Sequence, residues 1–157
     1  MNNSSFKKIQ SSVLLSYLEE GELKNEIENL SKKEENLSNE NPENNTPEKQ
    51  QEINKEFDEL KKESKELQKE NQGLKRPMKI PENKEEMEDI NKDLNKALQE
   101  LKDQNSDNAK KSQKSAAKKM KELSKSMEQS MMKMEGESID ENIEDLRKIV
   151  DNLIVFS

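Results

Sequence analysis

Five methionines crowd one stretch of this chain: Met120, Met127, Met131, Met132 and Met134. Clustered thioethers can hold a soft metal such as Cu(I), or form a pliant surface on which a partner helix docks. Residues 120, 127 and 134 are seven apart, however, which is the spacing of side chains buried between paired helices. Seam packing is the simpler reading, and the chain has neither His nor Cys to complete a metal site. A second group is basic: Lys110, Lys111, Lys114, Lys118, Lys119, Lys121 and Lys125. Such a run attracts phosphates, of nucleic acid or of an anionic membrane. No aromatic stacker and no Arg lie within it, and acidic stretches flank it. A solvated or internally paired face accounts for it, and no nucleic-acid partner is expected. The carboxylates between 19 and 59 read the same way, because no calcium-loop pattern with its turn glycine organises them.

Catalytic constellations are missing from the sequence. Without His the commonest general base is gone, and the many serines cannot join an ordinary triad. There is no glycine-rich phosphate loop, no G-x-S-x-G elbow and no H-E-x-x-H pattern. The expectation is a non-enzymatic protein with no cofactor and no metal.

What is regular here is the placing of apolar residues, and this dictates the elements. Ile53, Phe57, Leu60, Leu67 and Leu74 fall on one a/d stripe of a helix. Charged residues make up 40% of the 157 and the apolar set only 27%, well under the roughly 45–50% of ordinary globular domains. Too little apolar surface exists for a thick core, but enough for narrow seams between long helices. Disorder is the competing state; the ordered spacing of Leu, Ile and Met favours helix. No disulfide is available. The longest apolar runs, such as Val13–Leu15 and Leu153–Phe156, fall far short of the roughly 20 residues of a membrane span. The N-terminus lacks the apolar core of a signal peptide, so a soluble piece is expected.

The fold class expected is all-α: long amphipathic helices forming a coiled coil or an antiparallel helical hairpin, with disordered polar linkers. Residues 1–37 form an N-terminal helix, starting near Ser12, with Val13, Tyr17, Leu18, Leu23, Ile27, Leu30 and Leu37 on its apolar side. Gly21 weakens its middle by about 1 kcal/mol relative to Ala. Residues 38–47 are a polar linker; Thr46 caps the next helix with Pro47 at its first position. A central heptad helix covers 48–74. Residues 75–81, with Pro77 and Pro81, are an extended connector. Residues 82–157 hold a helical hairpin and a terminal helix. Its first helix, 82–104, carries Met87, Ile90, Leu94, Ala97, Leu98 and Leu101. The second carries Ala109, Ala116, Met120, Leu123, Met127, Met131 and Met134, and a continuous rod through 105–107 is the alternative. The last helix shows Ile139, Ile143, Leu146, Ile149, Val150 and Leu153, behind the capping box Ser138–Glu141. Ser64 and Asn71 in the second helix and Glu34 in the first are polar residues on seam positions, where they lower stability and select register.

Charge alternates along the chain. Blocks 19–59, 60–81, 82–104, 106–134 and 135–157 carry −9, +4, −4, +5 and −5 within a total of −7. Helices folded back on one another therefore meet opposite charge, which sets orientation.

The residues Ser115-Ala116-Ala117-Lys118-Lys119-Met120 with the methionine-rich helix after them carry a further signal. So do Asp145–Ser157 and the connector Leu74–Pro81. Together, over roughly the C-terminal two-thirds, they resemble a family of large, membrane-anchored bacterial coiled-coil proteins known by a domain of unknown function and sometimes labelled ATPases. The resemblance implies a longer parent chain running past Ser157, membrane association only through that parent's anchor, and a place at the bacterial cell envelope. It defines no functional residues, and the ATPase label lacks a phosphate-binding loop here. The function expected is a coiled-coil scaffold or assembly segment whose partners are other helices, in the parent protein or in a homo-oligomer. Two alternatives use the methionine-rich helix as a docking module or the lysines as an anchor on anionic membrane.

Overall fold

The computed structural model describes the backbone at residues 3–136 and 140–155, and side chains from residue 15 onward except 137–143, Leu146 and 153–157. Five helices make up the described chain: α1 (Asn3–Ser38), α2 (Pro47–Gln72), α3 (Lys84–Lys102), α4 (Ser106–Met134) and α5 (Asp140–Val155). No strand occurs among the described residues.

The first four helices close into a ring, with α1 against α2 and α4, and α3 against α2 and α4. Side-chain pairs give the directions. Lys33 meets Glu56 and Glu34 meets Gln50 across α1–α2. Ser31 meets Ala117 and Lys24 meets Glu128 across α1–α4. Glu100 meets Ser112 and Asp93 meets Lys119 across α3–α4. In each pair the numbers run oppositely, so neighbours are antiparallel, the up-down-up-down arrangement of a four-helix bundle.

The reason lies in the heptads. Leu23, Ile27, Leu30, Glu34 and Leu37 of α1 are buried, spaced four, three, four and three. Ile53, Phe57, Leu60, Ser64, Leu67 and Asn71 continue this pattern in α2, and Met87, Ile90, Leu94, Ala97 and Leu101 in α3. Each row is a narrow apolar edge, and the four rows meet in one shared cluster that covers them. In α4 small residues, Ala109, Ser112, Ala116, Ala117 and Ser124, join the inward set. They let the backbones of α1 and α3 come close: Ser31 Oγ donates to Ala117 O at 2.7 Å. Leu23 to Leu37 share one apolar cluster with α2, α3 and α4. The N-terminal helix is thus part of the common core.

The linkers make specific contacts as well. In the connector, Asn71 Nδ2 donates to Met78 O at 2.7 Å and its Oδ1 accepts from Met78 N at 2.9 Å. Gln68 Nε2 donates to the carbonyls of Ile80 and Pro81. Two amide side chains thereby act as a pairing edge for a segment whose prolines bar helix. Met78 and Ile80 are consequently buried against Leu67 and Met134.

The chain turns at Asp103–Asn105. Asn105 N donates to Glu100 O at 2.8 Å and Gln104 N to Leu101 O at 3.1 Å, the paired bonds of a Schellman motif. Gln104 occupies the left-handed position, with φ of 59°. Asn105 then caps α4 by accepting from Asn108 N. Thr46 does the same for α2, accepting from Lys49 N ahead of Pro47. Helix α1 starts earlier than Ser12 and runs through Gly21, where a Cβ would sit 3.2 Å from Met131 Cε. Arg76 pairs with Asp145 of α5. The Ser138–Glu141 capping box and Ile139 include positions outside the described residues.

Candidate functional site

Amides and carboxylates are the reactive groups of the interior, and one layer of them crosses the bundle. Glu34 sits in the inward row of α1 between Leu30 and Leu37 with no exposed surface. Gln50, in the first turn of α2, donates through Nε2 to both carboxylate oxygens of Glu34, at 2.9 and 3.1 Å. The same nitrogen donates to Asn54 Oδ1 at 3.0 Å. Gln50 Oε1 accepts from Gln113 Nε2 of α4 at 2.7 Å. Gln113 and Asn45 form a cyclic amide pair: Gln113 Nε2 donates to Asn45 Oδ1 at 2.8 Å, and Asn45 Nδ2 donates to Gln113 Oε1 at 2.7 Å. Asn54 Nδ2 closes the layer by donating to Leu94 O of α3 at 3.2 Å. All four helices of the ring and the α1–α2 linker therefore meet in a single hydrogen-bonded layer.

The layer's side chains bring Glu34 no cation. Burial pushes its carboxyl up to about 8, with the Gln50 hydrogen bond opposing the shift. At neutral pH Glu34 mostly keeps its proton, and the layer is close to uncharged. Two heptads earlier on the same row, burial pushes Glu20 up to about 7. Glu34, Gln50 and Gln113 are fully buried, so they present no surface to a ligand arriving from solution. What the layer can do is discriminate. A helix displaced by one step would strand buried amides, each costing about 1–3 kcal/mol.

The seam residues read from the sequence are distributed as follows. Ile53, Phe57, Leu60, Leu67, Met87, Ile90, Leu94, Leu101, Met120, Leu123, Met127 and Met134 are all buried. Leu74 and Met131 are half-buried beside the smaller cluster of Leu67, Met78, Ile80 and Met134. Leu98 is half-buried, off the inward row held by Ala97 and Leu101. Val150 on α5 is 45% exposed. Ile143, Leu146 and Leu153 lie outside the described side chains. Leu18 is exposed rather than on the apolar side of α1.

Sequence reasoning placed Glu34, Ser64 and Asn71 on seams but passed over Gln50, Asn54, Gln113 and Asn45. For Gln113 a signal existed, since it stands seven residues before Met120 on the same row. Gln50 likewise precedes Ile53 by three. Asn45, in a linker, carries no periodic signal.

The methionines divide between core and surface: Met120, Met127 and Met134 are buried, while Met132 is 65% exposed. Of the lysines, Lys119 pairs with Asp93 at 2.9 Å. Lys111, Lys114, Lys118, Lys121 and Lys125 are exposed, and none is in an ion pair with a described residue. No group of three or more metal-ligating side chains converges among the described residues. No described helix is long and apolar enough to cross a membrane. Comparison with protein-family models, with curated proteins and with solved structures finds no match to this chain.

Proposed function

We propose that this chain is a non-enzymatic helical scaffold segment of a larger bacterial protein, its heptad seams packing in coiled-coil fashion to form a rigid spacer. The observation that carries this reading is the common core: apolar rows from α1, α2, α3 and α4 belong to one cluster. The apolar rows of α1 to α4 are occupied within the chain, which leaves the outer faces of these helices for neighbours. The closed polar layer around Glu34 supports the same reading, since it favours one helix arrangement over its alternatives.

The methionine-docking alternative requires α4 to leave the bundle, because Met120, Met127 and Met134 are inward. The anionic-membrane alternative rests on charge alone, since the apolar face of α4 is the one turned inside. A place within a membrane-anchored parent at the cell envelope extends the family resemblance.

Circular dichroism across a hundredfold range of protein concentration tests the scaffold reading. Helicity is expected to be high and independent of concentration, and Leu94→Asp or Leu123→Asp is expected to abolish it. A mostly unfolded chain at all concentrations, or helicity indifferent to both substitutions, would sink it.

A further inference from the structure

The α1–α2 junction departs from the usual logic of helix pairing. Positions flanking a seam ordinarily face each other with opposite charge. Here Glu19, Glu22 and Glu26 of α1 line a channel with Glu63, Glu66 and Glu70 of α2, over a floor of Leu23 and Leu67. Like charges meet across it: Glu19 faces Glu70, and Glu26 faces Glu63. Desolvation and these neighbours raise the carboxyls of Glu19 and Glu63 above their ordinary value. Toward Glu56 the channel continues past Glu59 to the Lys33–Glu56 pair, which partly neutralises that end.

The outward face of α4 is its complement. Lys111, Lys114, Lys118, Lys121 and Lys125 are exposed at intervals of three, four, three and four. The glutamates Glu56, Glu59, Glu63, Glu66 and Glu70 repeat at the same intervals, so each stripe spans about 21 Å along its helix. In the ring of helices α4 stands diagonal to α2. One chain therefore cannot bring its own two stripes together.

Resting on the scaffold reading above, we propose that the lysine stripe of α4 docks into the acidic α1–α2 channel of a second copy of this chain. The contact uses different surfaces on the two copies, so it is head-to-tail and propagates into an open array or a ring. It joins preformed bundles without opening their cores.

Sedimentation velocity of the full chain, with circular dichroism on every sample, tests this. The wild type is expected to form species larger than a monomer that weaken at least about tenfold as salt is raised from near-physiological levels to well above them. Lys114→Glu/Lys118→Glu/Lys121→Glu is expected to be monomeric, as is Glu63→Lys/Glu66→Lys/Glu70→Lys, both with unchanged helicity. Mixed, the two variants are expected to associate again, because the intact lysine stripe of one meets the intact acidic channel of the other. Lys→Gln at the same three lysines provides a milder variant should reversal disturb folding. A wild type that stays monomeric, reversals without effect, or a silent mixture would each overturn the proposal. So would binding of the lysine stripe to anionic phosphatidylserine vesicles by a wild type that does not self-associate. A helical monomer in the first experiment removes the docking and leaves the scaffold reading standing; loss of helix removes both.

Discussion

Glu34 shows how a single side chain couples this core to pH. Its carboxyl is pushed from 4.5 to about 8 by burial, so the folded chain holds a proton that the unfolded chain releases earlier. The stabilising difference is complete below pH 4.5 and is lost as pH rises to about 8, where folded Glu34 also ionises. At about 1.4 kcal/mol per pH unit, the loss is on the order of 5 kcal/mol. Glu20, pushed up to about 7, acts in the same direction over a shorter window. Urea midpoints are therefore expected to fall from pH 5 to pH 8.5. Glu34→Gln should remove most of that slope while costing little at pH 5, because the amide replaces a carboxyl that is already neutral there. A midpoint that rises with pH, or a Glu34→Gln slope equal to the parent's, would contradict the buried neutral acid.

At the scale of the element, the helices are defined as much by their ends as by their seams. Thr46 and Asn105 supply N-caps, and Asn71 and Gln68 bind the connector that prolines exclude from helix. The α3–α4 turn contains one inefficiency: Gln104 has φ of 59°, a left-handed conformation that costs side-chain-bearing residues roughly 1–2 kcal/mol. Gln104→Gly is expected to raise stability by about 0.5–1 kcal/mol, since glycine occupies that position without a Cβ penalty. Equilibrium denaturation of the two chains measures it, and a less stable glycine variant would mean that the Gln104 side chain makes a compensating interaction. Gly21 illustrates the reverse case, where the missing Cβ makes room for Met131.

For the whole molecule the shared core implies that the bundle melts as a unit. Ile27 of α1 has no exposed surface and packs in the cluster that holds Phe57, Ile90, Leu94 and Met120. Ile27→Ala is expected to cost about 2–5 kcal/mol and to lower the transition of all four helices together. The single tyrosine, Tyr17, reports on α1 by fluorescence, while circular dichroism reports on the total helix. Coincident transitions support one cooperative unit. An early tyrosine transition with most helix retained would show α1 detaching by itself. The same closure covers the apolar rows of α1 to α4, so a neighbour would meet the outer faces of these helices.

Local order was open to reading from the residues alone. Seven-residue spacing puts Phe57, Leu60 and Leu67 on one edge of a helix wherever that helix goes, because the turn angle is the same everywhere. Prolines 77 and 81 bar helix in the connector for an equally local reason. Which edges would meet was not legible. A heptad row specifies that it must be buried but not by which partner, so the same pattern suits a rod, a hairpin or an oligomer. Folding back four rows in one chain decided that question, through the turn at 103–105 and the pinned connectors. It also decided the surroundings of Gln50, Gln113 and Asn45, whose hydrogen bonds exist only once distant segments are brought within 3 Å. Sequence spacing sets the direction in which a side chain leaves its helix; tertiary packing alone sets what it encounters there.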